Sequence, residues 1–212
     1  LSRRQRQMCI RDSGGDMAKV DASAFPVLNM LNTRYFIFPL QGGKTMPIQN
    51  PYTLGNAWFV DKVQYVNNAN EEIESLHKVM PAKVAVVDKK FAEQVKPVAV
   101  SDSLRFVKLV AYEPNDLKYE VSSEKGGVVV FSEIYYPGWQ AYIDGVEAPH
   151  GRADYILRAM NVPAGKHTVE FKFDPKSLHT TETIAFVALG LLAMAVLLLL
   201  VLQGKALWGK KG

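Results

Sequence analysis

The chain has almost no cysteine: one residue, Cys9, in 212. A single thiol excludes a disulfide framework and a thiolate metal site within the chain. Histidine is scarce too, and His77, His150, His167 and His179 never fall at the close spacing of a zinc site. No serine elbow, glycine-rich phosphate loop or acid–base pair in a recognisable setting is present. Gly42-Gly43-Lys44-Thr45 echoes a phosphate loop, but the position that needs the earlier glycine is Phe38. There is no internal repeat and no low-complexity tract. Charge is missing altogether from residues 183–202, twenty consecutive positions.

That uncharged run is the strongest signal in the sequence. At about 1.5 Å per residue it reaches about 30 Å as a helix, the thickness of a bilayer's hydrocarbon core. A helix of a soluble protein would carry a polar stripe, and this one has none. Residues 183–202 therefore read as a transmembrane helix. Lys205, Lys210 and Lys211 follow it, with Trp208 among them and no acid. Lysines beyond a span stay on the cytoplasmic side and tryptophan favours the interface, so 203–212 reads as a basic cytoplasmic tail. Lys172 and Lys176 on the other flank weaken the asymmetry. The expected orientation puts the large domain outside.

The first thirteen residues differ from the rest. Residues 3–13 back-translate, codon by codon, onto the adapter of transposon-based sequencing libraries. Residues 1–13 are expected to be translated adapter rather than native protein, and the native sequence upstream of Gly14 to be missing; they are excluded from fold reasoning. The exclusion removes Arg3, Arg4, Arg6, Arg11 and Asp12, which lowers the net charge from +4 to +1. A basic arm for nucleic acid then loses its electrostatic support. Cys9 goes as well.

The composition is globular, 48% hydrophobic over the full 212 residues. Residues 14–106 alternate helix and strand signals. A short helix is expected over residues 24–31, with Pro26 in its first turn. A strand follows over residues 34–38, and the polar stretch 41–56 reads as loop. Residues 57–60 and 63–66 are strand candidates. Asn68-Ala69-Asn70-Glu71 has the form of a capping box, and behind it Ile73, Leu76, Val79 and Met80 recur at helical spacing. Residues 82–87 form a β-branched strand, after which Asp88 can cap a short helix through Val95. Alternation of this kind predicts a small α/β unit.

Residues 107–178 are different: short strands cut by turn signals such as Pro137-Gly138, Asp144-Gly145 and Pro163-Ala164-Gly165. The spacing predicts an antiparallel β-sandwich of about seven strands, Ig-like or jelly-roll-like. Leu117, Tyr119 and Val121 alternate with Lys118 and Glu120, which puts one face on a core. Asp144-Gly145 is a two-residue hairpin signal. The fold class expected overall is α+β: a small α/β unit, an antiparallel sandwich and one C-terminal transmembrane helix.

The aromatic block of residues 131–145, which contains Tyr135-Tyr136-Pro137-Gly138-Trp139 and the Asp-Gly hairpin, resembles YfhO-like bacterial membrane proteins. Residues 161–171, with Pro163-Ala164-Gly165-Lys166-His167, and the terminal span are similar to the same family. Upstream, residues 27–37 and 54–60 resemble its bacteroidete-type members. The resemblance implies a large polytopic protein of the inner membrane, with many helices first and this extracytoplasmic region last. Such proteins look like lipid-dependent GT-C-type glycosyltransferases that decorate cell-envelope polymers with sugars. The family's catalytic carboxylate lies in an early loop, so no catalytic residue carries over and the fragment itself is expected to be non-catalytic.

Glycan or acceptor contact is expected, if anywhere, at Tyr135, Tyr136, Tyr142 and Arg152, since aromatic faces stack on sugar rings. The bland alternative is that Trp139 and alternate tyrosines fill the sandwich core; Trp139 is expected to be buried there, with Ala141 and Ile143 on its face. Arg152, Arg158 and Lys166 could meet lipid headgroups or an anionic glycan, or be ordinary surface charge. No cofactor and no metal are expected. The expected partners are the bilayer, the missing polytopic domain and an envelope glycan or polymer, with no nucleic acid. The competing readings are a membrane-anchored carbohydrate-binding sandwich without an enzyme, and a purely structural anchor.

Overall fold

The computed structural model describes residues 25–39, 43–98 and 104–208. The adapter-like residues 1–13 and the tail from 209 on lie outside the described residues. The first helix, α1 (Pro26–Met30), begins on its proline, where the missing N–H costs nothing. Strand β1 (Tyr35–Pro39) pairs antiparallel with β2 (Thr45–Gln49). The expected loop over 41–56 therefore contains a strand. Its Pro47 hid it, because proline cannot donate to a ladder; a two-stranded sheet consists only of edges and tolerates the loss.

A βαβ unit follows. Strand β4 (Lys62–Val66) lies parallel to β5 (Val84–Asp88), with α2 (Ala69–Ser75) in the crossover. The capping box forms: Asn68 accepts from the Glu71 N–H at 3.0 Å, and the Glu71 carboxylate reaches back to the Asn67 N–H at 3.0 Å. The helix ends at Ser75, before Leu76, Val79 and Met80 of the predicted apolar series; Ile73 within it and Met80 beyond it are exposed, while Leu76 is buried. Asp88 caps only a 3-10 turn, Lys89–Phe91, rather than a helix reaching Val95.

Eight strands come next: β6 (Phe106–Glu113), β7 (Asp116–Ser123), β8 (Gly127–Ile134), β9 (Trp139–Ile143), β10 (Val146–Ala148), β11 (Gly151–Ala153), β12 (Leu157–Val162) and β13 (Gly165–Phe173). They form a five-stranded sheet, β10-β9-β13-β7-β6, facing a four-stranded sheet in which one earlier strand joins β11-β12-β8 at the β8 edge. The ninth strand of this sandwich is β3 (Ala57–Val60), which precedes the βαβ unit in the chain and pairs antiparallel with β8. Asp144 and Gly145 both have positive φ, 51° and 82°, as a tight hairpin turn between β9 and β10 requires.

The four-stranded sheet is the middle of three layers. Val129 and Phe131 of β8 and Met160 and Val162 of β12 face the five-stranded sheet, where they meet Tyr119, Val169 and Phe171. Val128 and Val130 of β8 and Leu157 and Ala159 of β12 face the other way, against Val63, Leu76, Val86 and Val87 of the βαβ unit. A strand buried on both faces loses the polar half of its alternation, which explains the unbroken Val128-Val129-Val130-Phe131.

Two residues after β13, helix α3 (Lys176–Trp208) begins and runs 33 residues. It contains the expected span; the stretch long and apolar enough to cross a membrane is Thr180–Leu200. Its large apolar side chains from Ile184 to Leu200 are all exposed, so none of the described residues packs over them.

Candidate functional site

The geometry converges on the end of the sandwich where β13 hands over to α3. The turn after β8 carries Tyr135-Tyr136-Pro137-Gly138-Trp139. The Asp174 N–H donates to the Gly138 carbonyl at 2.9 Å, and the Phe173 N–H donates to the Asn115 carbonyl of the β6–β7 turn at 2.9 Å. Gly138 has φ 106°, and a Cβ there would stand 2.8 Å from the Pro175 Cβ. Only glycine supplies both the dihedral and the clearance. Trp139 pairs in register with Phe173, with ring centroids 5.3 Å apart. The β8–β9 and β6–β7 turns thus grip the strand-to-helix connection from two sides.

Trp139 is half-buried rather than fully enclosed; Ala141 on its face is buried and Ile143 packs against the same core. Its partner is Arg158, whose guanidinium lies 4.0 Å from the indole centroid. Arg158 is 2% exposed, which corrects its reading as surface charge. It sits in the sandwich interior, with Nε donating to the Ile134 carbonyl at 3.0 Å and Phe171 on its other side at 5.1 Å. Aromatic faces on both sides of a guanidinium offset part of its desolvation. Glu133 faces the same charge, and burial raises its carboxyl above the usual range. His150 packs edge-on to Phe171; burial, with the Arg158 charge, pushes it down to about 4, so it is neutral at pH 7.

The four sequence-predicted contact residues do not share a face. Tyr136 is exposed at the α3 end, 6.3 Å from Phe173. Tyr142 lies on the outer face of the five-stranded sheet, its hydroxyl donating to Gln140 at 2.6 Å with the Lys172 ammonium 5.5 Å from its ring. Tyr135 packs on Phe91 at 5.2 Å. Arg152 lies beyond Phe91, its guanidinium 5.7 Å from that ring and 5.4 Å from Tyr155. Only Tyr135 and Arg152 are neighbours, and Phe91 stands between them.

Arg152 belongs to a polar junction between the middle sheet and the βαβ unit. It donates to Glu72 of α2 at 2.6 Å, and Glu72, with no exposed surface, also accepts from the Tyr155 N–H at 2.9 Å. Asp154, equally buried, exchanges two bonds with Val86 of β5: its carboxylate accepts the Val86 N–H at 2.8 Å and its N–H donates to the Val86 carbonyl at 2.7 Å. Asp154 and Tyr155 both adopt left-handed φ, 50° and 74°. Two consecutive residues of that kind are strained, and the bonds to Glu72 and Val86 hold them. Burial pushes Asp154 up to about 8, opposed by the Val86 bond, so it is a neutral acid at pH 7. In the sequence Glu72 is indistinguishable from the solvated charges around it, because its partner Arg152 lies eighty residues away.

At the opposite end of the five-stranded sheet, the Asp-Gly hairpin is clasped to the Pro-Ala-Gly-x-His turn. Asp144 accepts from the Thr168 N–H at 2.8 Å and lies 2.6 Å from His167 Nδ1, while His167 Nε2 lies 3.1 Å from the Ala164 carbonyl. Acceptors on both ring nitrogens favour the imidazolium and raise the His167 pKa. A cleft of about 280 Å³, lined by Tyr52, Leu54, His77 and Met80 among others, lies beside α1 and is mostly apolar. Among the described residues no group of three or more His, Cys, Asp or Glu is placed to hold a metal ion.

Residues 92–185, from the end of the βαβ unit through the sandwich into the span, match the family model of the bacterial membrane protein YfhO. No curated protein and no solved structure matches the chain.

Proposed function

Because this chain is YfhO-like over residues 92–185, we propose that it forms the extracytoplasmic accessory region and last membrane span of a polytopic envelope protein that transfers sugars to cell-envelope polymers. In this reading the catalytic part precedes Gly14 and the chain contributes no reactive group. Its role is to cover the active-site face of the membrane domain and guide the acceptor polymer. One observation carries the reading: the turn at 135–139 clamps the β13–α3 connection at Asp174 and Pro175, so no free linker separates the sandwich from the helix. A tether meant only to display a binding module would need no clamp.

The competing carbohydrate-binding module requires a coplanar aromatic strip. Tyr136, Tyr142 and Tyr135 instead occupy three separate surfaces, so nothing favours it. The test is made in the parent protein. Deleting residues 25–175 while keeping α3 should leave the protein in the membrane and abolish sugar transfer to the polymer; unchanged transfer refutes the proposal. Sidedness is read separately: a cysteine replacing Glu147 should react with an impermeant maleimide in intact spheroplasts, and one replacing Lys210 only after lysis.

A further inference from the structure

We infer that the end of the sandwich from which α3 departs is itself a bilayer-contacting surface, with Tyr112, Ile134 and Tyr136 seated in the lipid headgroup layer beside Leu178 of the helix. The four side chains are 64%, 62%, 61% and 50% exposed. Two turns carry the first three or lie beside them, and both are hydrogen-bonded to the exit of β13: the β8–β9 turn through Gly138 and Asp174, the β6–β7 turn through Asn115 and Phe173. These residues therefore surround the root of the span.

Distance supplies the occupant. The apolar stretch begins at Thr180, five residues after Pro175. Five helical residues rise about 7.5 Å. The headgroup layer on each side of a bilayer is about 5–8 Å deep, from the difference between its full and hydrocarbon thicknesses. The exit end cannot stand clear of lipid on so short a stem, and any tilt of α3 presses one side of it deeper. Tyrosine suits that layer, with an apolar ring and a hydroxyl that stays wet. Glu113, Asp116 and Asp174 are exposed at the same end and outnumber Lys172, which lies opposite Asp116, so the contact is apolar and aromatic rather than an attraction to anionic headgroups.

This inference rests on α3 spanning the bilayer, as the proposed function does, and the experiment separates the two. The whole chain, with Cys9→Ser, is reconstituted in phosphatidylcholine vesicles. Single cysteines at Tyr136→Cys, Ile134→Cys, Glu147→Cys and Leu192→Cys carry an environment-sensitive fluorophore, and the quenchers are nitroxides on the lipid headgroup or deep on the acyl chain. Positions 136 and 134 should be quenched by headgroup nitroxide at least threefold more than 147, and adding phosphatidylglycerol should not deepen the quenching. Position 192 should respond to the deep nitroxide. Equal quenching at 136, 134 and 147 with 192 still quenched overturns the inference and leaves the span intact. Shielding of 136 and 134 from both lipid nitroxide and aqueous iodide means a protein covers the surface and also overturns it. No quenching at 192 removes the span and the inference together.

Discussion

Glu72 is a carboxylate with no water contact, balanced by one guanidinium and one backbone N–H. Removing one partner of a fully buried ion pair costs about 3–5 kcal/mol. The Arg152 side chain is 18% exposed and keeps Asp88 at 3.9 Å, so Glu72→Ala should lower stability by less than that, measured by urea unfolding of the detergent-solubilised chain. Replacing Glu72 by Leu and Arg152 by Met together should cost less than the two single losses summed, because neither member of the pair is left without the other. Asp154 behaves differently, since it is buried as the neutral acid. Its folded pKa of about 8 lies above its ordinary 3.8. Between those values the folded state holds a proton that the unfolded state has lost, so this group's stabilising contribution is full below 3.8 and falls as pH rises toward about 8. Asp154→Asn keeps an acceptor for the Val86 N–H, tolerates the left-handed φ and cannot ionise. The variant should gain on the wild type as pH is raised from about 5 to about 8, and parallel unfolding curves over that range would contradict the assignment.

At the scale of elements, local signals were legible wherever the cause was local. The capping box at Asn68, the Asp144-Gly145 hairpin and the alternation of β7 each depend on residues within a few positions of one another. Elements whose cause lies far along the chain were not legible. The buried face of α2 is set by Arg152, eighty residues away, and β2 exists because β1 accepts a proline-bearing partner. The aromatic turn at 135–139 was conspicuous in sequence, but its clamp on Pro175 could not be read before the chain was folded. That clamp makes a prediction. Gly138→Ala must either abandon φ 106° or push its Cβ into Pro175. Strain of this kind costs on the order of 1–3 kcal/mol and falls on the β13–α3 connection. The variant should keep the Asp144–His167 clasp, seen in the imidazole titration of His167. It should lose protection of the Asp174 amide in hydrogen exchange. Unchanged protection at Asp174 would mean that the turn does not hold the exit.

At the scale of the whole molecule, the sequence separates an alternating α/β stretch from a strand-rich stretch near residue 106, and the hydrogen bonds do not separate there. Composition reports local element type, whereas the layers depend on which face each strand buries. Strands β8 and β12 both link all three layers; β8 does so with Val128 and Val130 on the βαβ side and Val129 and Phe131 on the sandwich side. A polypeptide of residues 104–175 would retain β6 to β13 and lose everything packed on the outer face of the middle sheet. It would expose Val128, Val130 and Leu157, each worth about 1.5–3 kcal/mol when fully buried. Their sum approaches the whole stability of a typical domain, about 5–15 kcal/mol. Loss of β3 would also leave β8 as a bare apolar edge, a template for pairing between copies, and would remove the Phe59 ring that packs over Gly127. Residues 104–175 should therefore aggregate or bind a hydrophobic dye, while residues 25–175 give a monomer with a cooperative unfolding transition. Size-exclusion chromatography and thermal melts of the two polypeptides decide it, and a monomeric, cooperatively melting 104–175 would make the sandwich an independent folding unit after all.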